Sequence, residues 1–166
     1  MKLKNLLPVS ALSLLLLASV HGAPQQQKSD LKASLDVIKT NIGKVTEAGE
    51  KERWQANVDL WQIEIAQTGA FAKTDLVKMT ASLDRIKANV AKVTDAGEKE
   101  RWQTNIDLWQ VVIGQNGMLV KGDSQKLNVT LAAMKANIAK ISEAGEKQRW
   151  EANRDMWQLI IDRAAK

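Results

Sequence analysis

Residues 47–62 read EAGEKERWQANVDLWQ, residues 95–110 read DAGEKERWQTNIDLWQ, and residues 143–158 read EAGEKQRWEANRDMWQ. Each segment lies 48 residues after the one before, and ten of the sixteen positions hold the same residue in all three. The match extends upstream without a gap, as IKTNIGKV from Ile38, IKANVAKV from Ile86 and MKANIAKI from Met134. A fixed period of this length marks a repeat architecture in which each copy is one supersecondary unit. The RWxxNxDxWQ pattern fits neither the tetratricopeptide nor the HEAT signature.

Each unit reads as two helices. In the first, Leu31, Leu35, Ile38, Ile42 and Val45 are spaced 4, 3, 4, 3, which draws one apolar stripe along a helix. The stripe returns as Met79, Leu83, Ile86, Val90 and Val93, and as Leu127, Leu131, Met134, Ile138 and Ile141. Lys39 and Lys44 lie off it, so this helix has one dry and one wet side. The second helix carries Trp54, Val58, Trp61 and Ile65 on one side and Ala56, Leu60 and Ile63 on nearly the other. Two apolar faces require two neighbours, the property of an inner helix. Gly49, Gly97 and Gly145 are expected in the turn between the helices, and Gly69 and Gly117 at the ends of second helices.

The fold class expected is all-α, with six helices as three tandem 48-residue hairpins. Repeats of this kind usually stack as a solenoid, so a short α-solenoid is the favoured arrangement and a closed six-helix bundle the alternative. The hairpins span residues 29–72, 73–120 and 121–166. Asn41, Asn89 and Asn137 recur on the first helices, and Asn57, Asn105 and Asn153 on the second. In an antiparallel hairpin Asn41 and Asn57 come to the same height. They are expected to share a hydrogen bond that fixes register, because a buried amide needs a partner.

Residues 1–22 read as a secretory signal peptide: Lys2 and Lys4, an apolar stretch from Leu6 to Val20, and small residues before Ala23. The apolar run is short for a membrane span, so no stable span is expected after cleavage, and no cysteine is present to take a lipid. Residues 23–28 are expected as a flexible start of the mature chain. Cleavage removes Lys2, Lys4 and His21. From 24 basic and 19 acidic side chains this leaves 22 against 19, a net charge of +3, with no Cys, His or Tyr. Without disulfides, stability must come from packing.

That composition excludes a good deal of chemistry. The usual general base, the thiol nucleophile and the soft metal ligands are missing. Glu50 and Asp59 recur in each copy but sit on different sides of the helix. No calcium-loop or phosphate-loop pattern is present, and charges of mixed sign speak against nucleic acid. Neither a catalytic residue, a metal nor a cofactor is expected. Six tryptophans remain: Trp54, Trp61, Trp102, Trp109, Trp150 and Trp157. Large aromatics at helical spacing usually pack inside. In the competing reading they line a ligand groove together with Arg53, Arg101, Arg149, Asp59, Asp107 and Asp155.

The function expected is therefore a non-enzymatic secreted or periplasmic protein that binds or scaffolds a partner protein. The alternatives are a carbohydrate or cell-wall glycan binder acting through exposed Trp, and a self-assembling structural protein. Amino-terminal sequencing of the protein from the periplasm or medium is expected to begin at Ala23. A membrane-bound chain that keeps its first residues would instead show an uncleaved anchor.

Overall fold

The computed structural model describes residues 22–166, so the expected signal peptide lies outside the described residues apart from Gly22. The six helices are α1 (Gly22–Ile42), α2 (Ala48–Ala66), α3 (Lys73–Val90), α4 (Ala96–Gly114), α5 (Lys121–Ile138) and α6 (Ala144–Ala164). Among the described residues none is long and apolar enough to cross a membrane.

Each helix packs on the next in chain order, and α6 returns to pack on α1. The repeats thus close into a six-helix bundle, and the favoured solenoid is corrected: its first and last helices would stay apart. Helices α2, α4 and α6 run parallel around a central axis, while α1, α3 and α5 lie outside them and run the other way. The outer helices bury the stripes read from sequence, from Leu31 to Val45, Met79 to Val90, and Leu127 to Ile141. The inner helices also bury Ala56, Leu60 and their neighbours against the outer ring. No Cα atoms of α2, α4 and α6 approach within 8 Å of one another. Side chains alone bridge the axis, six indoles filling most of it.

Within each hairpin the turn comes before the expected glycine. Gly49, Gly97 and Gly145 are the second residues of α2, α4 and α6, not turn residues. The caps are Glu47, Asp95 and Glu143. Glu47 accepts from Gly49 N at 2.8 Å and from Glu50 N, Asp95 accepts from Glu98 N at 2.6 Å, and Glu143 accepts from Gly145 N at 2.7 Å and from Glu146 N. These amides would otherwise lack partners. They also hold the carboxyls of Glu47 and Glu143 below their ordinary range. Glycine follows the cap because space is short: a Cβ at Gly49 would lie 3.0 Å from Glu47 Oε1 and 3.4 Å from Arg53 Nη1.

The loops between hairpins meet each other. Asn116 and Gly117 have φ of 52° and 73°, and the Gly117 amide donates back to Val112 O at 2.9 Å, closing α4. Phe71, in the loop after α2, donates its amide to Asn116 O at 3.2 Å. Residues 23–28, expected to be flexible, continue α1. Gln27 Nε2 donates to Leu159 O at 2.6 Å, and Lys28 Nζ donates to Gln67 O at 3.1 Å.

A Cβ at Gly117 would stand 2.9 Å from Phe71 Cε2 in a left-handed backbone. Gly117→Ala is expected to destabilise the protein by about 1–3 kcal/mol in urea unfolding, whereas Gly122→Ala, in open space, is not.

Candidate functional site

The residues that recur in every copy converge on the axis in layers. Positions 50, 54, 57, 61 and 64 are spaced 4, 3, 4, 3 on α2, as are their counterparts on α4 and α6, so all three helices present this stripe inward. Trp54, Trp102 and Trp150 meet edge to face with ring centroids 4.8–4.9 Å apart. Two turns further down, Trp61, Trp109 and Trp157 repeat the arrangement at 4.6–4.8 Å. Such pairs add roughly 0.5–1.5 kcal/mol each beyond the area they bury.

Between the two tryptophan layers lies a ring of amides. Asn57 Nδ2 donates to Asn153 Oδ1 at 2.9 Å, Asn153 Nδ2 to Asn105 Oδ1 at 3.1 Å, and Asn105 Nδ2 to Asn57 Oδ1 at 3.0 Å. Each Oδ1 also accepts an indole N–H from the layer below: Trp61 to Asn153, Trp109 to Asn57 and Trp157 to Asn105, at 2.9–3.0 Å. All three asparagines are fully buried.

Above the upper tryptophans is a ring of charge. Arg53 pairs with Glu98, Arg101 with Glu146 and Arg149 with Glu50, at 2.5–2.6 Å. Each guanidinium also lies over the next hairpin's indole, 5.7–5.8 Å from the Trp102, Trp150 and Trp54 centroids. The glutamates occupy the first turns of three parallel helices, where the dipoles favour negative charge. Glu146 is nevertheless held above its ordinary range, chiefly by burial, with Arg101 opposing and the Glu50 and Glu98 charges adding. Unlike the indoles of the lower layer, Trp54 Nε1 and Trp102 Nε1 are buried with no hydrogen-bond partner among the described residues.

One layer breaks the threefold pattern. Position 64 is glutamate, where the other copies have Val112 and Ile160. Its side chain is 1% exposed and pairs with Arg163 at 2.6 Å, and Gln67 Nε2 donates to it at 2.7 Å. Burial raises its carboxyl above the ordinary value, against the opposing pull of Arg163 and Gln67. Sequence reading passed over Glu64, although its failure to match Val112 and Ile160 was there to find.

The candidate ligand residues therefore fall in different places. The six tryptophans are at most 1% exposed. None can stack on a sugar, and the glycan reading through exposed Trp is corrected. Arg53, Arg101 and Arg149 are buried in the ion-pair ring. Asp59 pairs with Arg85 at 3.0 Å, and Arg85 also binds Glu52. Asp107 accepts from Gln103 on its own helix, and Asp155 pairs with Arg154. These aspartates lie outside and do not join the axial residues. The expected Asn41–Asn57 bond does not form. Asn41 Nδ2 donates to Val37 O and to Gln148 Oε1 of α6, at 3.0 and 3.3 Å. Asn89 and Asn137 likewise donate to the carbonyl one turn back. The first-helix asparagines lie off the axis, Asn41 and Asn137 buried and Asn89 half-buried, while the second-helix ones find each other across the axis.

Two open grooves flank the outer strip of α2. One, of about 590 Å³, runs between α2 and α3 beside Asp59, Ile63, Asp75, Lys78 and Ser82. The other, of about 540 Å³, runs between α1 and α2 beside Lys28, Lys32, Leu35, Lys39 and Ile65. Gln62 and Ala66 line both. The chain matches no protein-family model, no curated protein and no solved structure.

Asn57→Ala deprives Asn105 Nδ2 and Trp109 Nε1 of their acceptor and Asn153 Oδ1 of a donor. It is expected to cost roughly 2–5 kcal/mol in denaturant unfolding. Glu64 carries the opposite expectation. Its raised native value means that it contributes stability fully present below the ordinary value of 4.5 and lost as pH rises through the native value. The stability of the wild type relative to Glu64→Gln should therefore fall as pH is raised from acid to neutral. Glu64→Val, which restores the residue type of Val112, should be neutral or stabilising by up to about 3 kcal/mol at neutral pH. A loss of stability in Glu64→Val would show that the Arg163 pair holds the bundle closed.

Proposed function

We propose that this chain is an exported, non-enzymatic protein that binds or scaffolds a partner protein on the outer faces of a rigid three-hairpin bundle. One observation carries the reading: the recurring residues with chemical potential, namely the tryptophans, the axial asparagines and the Arg–Glu pairs, are bonded to one another along the axis. Their threefold recurrence is accounted for by packing, so a binding role falls to the helix faces turned outward. Bundles of this kind present helix grooves to protein segments, and the open grooves beside α2 have room for one. The leader-like start supports export.

Self-assembly of stacked hairpins end to end is the weaker reading. A solenoid has free ends that can meet those of another copy, whereas here α1 and α6 cover each other within one chain.

The test is site-specific photo-crosslinking in the producing cell, with the reactive group placed in turn at Gln62, Gln110 and Gln158, which occupy equivalent outward positions. A discrete covalent adduct with one protein species from at least one position is expected. Absence of an adduct from all three, in cells where the protein is present and folded, would overturn the binding reading.

A further inference from the structure

The three hairpins are alike along the axis but differ outside, and the difference is concentrated in the groove between α1 and α2. Its rim carries Lys28, Lys32 and Lys39 against a single acid, Asp36. The 48-residue period places Leu76, Thr80 and Lys87 at the lysine positions in the second hairpin, with Asp84 at the acidic one. The third has Ser124, Asn128 and Lys135, and Asp162 stands where the first has Ala66. The first groove therefore holds an excess of two positive charges, while the corresponding positions of the other two balance.

The three lysines lie on one stripe of α1, at i, i+4 and i+11, over a length of about 16 Å. Lys32 and Lys39 are exposed and make no ion pair among the described residues. Lys28 is tied to Gln67 O at one end. The floor beneath them is apolar, formed by Leu35, Ile65 and the exposed Ala66. Helix packing alone requires no such charge, since two sister hairpins fold without it.

Building on the protein-binding reading above, we infer that the α1/α2 groove of the first hairpin is the docking site for an acidic amphipathic segment of a partner protein. The segment presents carboxylates at helical spacing to Lys32 and Lys39 and seats an apolar side chain on Leu35, Ile65 and Ala66. Charge complementarity selects this occupant: the rim offers ammonium donors to carboxylates and the floor takes aliphatic groups.

The probe is a fluorescein-labelled helical peptide of about 16 residues with Glu at i, i+4 and i+11 and Leu between them on the same face. The control carries Gln at the three Glu positions. Anisotropy with the full mature chain is expected to show binding of the Glu peptide that weakens between about 50 and 300 mM salt. Lys32→Glu/Lys39→Glu should reduce affinity at least about tenfold, while Lys87→Glu/Lys135→Glu, an equal charge change at the two equivalents of Lys39 on the other hairpins, leaves it unchanged. Thermal unfolding of both variants should match the wild type, since these side chains are exposed. Equal binding of the Gln control, no binding of the Glu peptide, or equal loss in the Lys87/Lys135 variant would each overturn the inference. So would Lys32- and Lys39-dependent binding to vesicles of anionic lipid without peptide binding, which would assign the face to a membrane. In cells, an adduct from Gln62 that Lys32→Glu/Lys39→Glu abolishes supports the docking site, whereas one that survives that change overturns it, since Gln62 also lines the α2/α3 groove. An adduct only from Gln110 or Gln158 sinks this site and leaves the general reading standing.

Discussion

The buried ring of three asparagines is the constraint on which the rest of the bundle depends. Each amide must give one hydrogen bond and receive two, and it does so only when three parallel helices stand at one height around one axis. An amide in an apolar interior without partners costs on the order of 1–3 kcal/mol, and three would cost more than a domain of this size can readily lose. The tryptophan layers could tolerate a slip of seven residues, because Trp54 and Trp61 are one heptad apart. The asparagines cannot, since a slip would set them against Glu50 or Glu64. The aromatic layers thus fill the axis and the amide layer fixes its register, as a polar residue does in coiled coils.

From that ring the other features follow outward. Indoles in the core hold α2, α4 and α6 too far apart for direct backbone packing, so the outer helices must seal the gaps between them. This explains why each outer helix has only one apolar stripe and why each inner helix has apolar residues on more than one side. The arginines close the upper end by lying over the indoles and pairing with the next hairpin's glutamate. Glycine in the first turn of α2 and α6 leaves room for the capping carboxylate, which a Cβ at Gly49 or Gly145 would approach to 3.0 or 3.1 Å.

Where the threefold pattern fails, packing does not supply the reason. Glu64 places a carboxylate in a layer that Val112 and Ile160 fill with aliphatic groups, and Arg163 at the end of α6 answers it. Lys28 and Lys32 place charge on a rim that the second hairpin builds from Leu76 and Thr80. Both departures belong to the first hairpin, and Glu64 reaches the last through Arg163. In a molecule built from near-identical parts, the differences rather than the likenesses single out residues that the fold itself does not require.

The 48-residue period and the helical spacing of apolar residues determined the all-α class, the three hairpins and the stripes of α1, α3 and α5, because helix geometry is local and every third or fourth residue shares a side. The inward stripe of the second helix was also legible: positions 50, 54, 57, 61 and 64 follow the same spacing as Leu31 to Val45. It was obscured because it alternates glutamate, tryptophan and asparagine rather than reading as apolar. Closure was the tertiary decision. Whether α6 meets α1 depends on the angle between successive hairpins, which no residue spacing encodes. Closure in turn decided that Asn57 finds Asn105 and Asn153 instead of Asn41, and that the tryptophans are core. Sequence set which side chains share a face of each helix, and only the ring decided what each face meets.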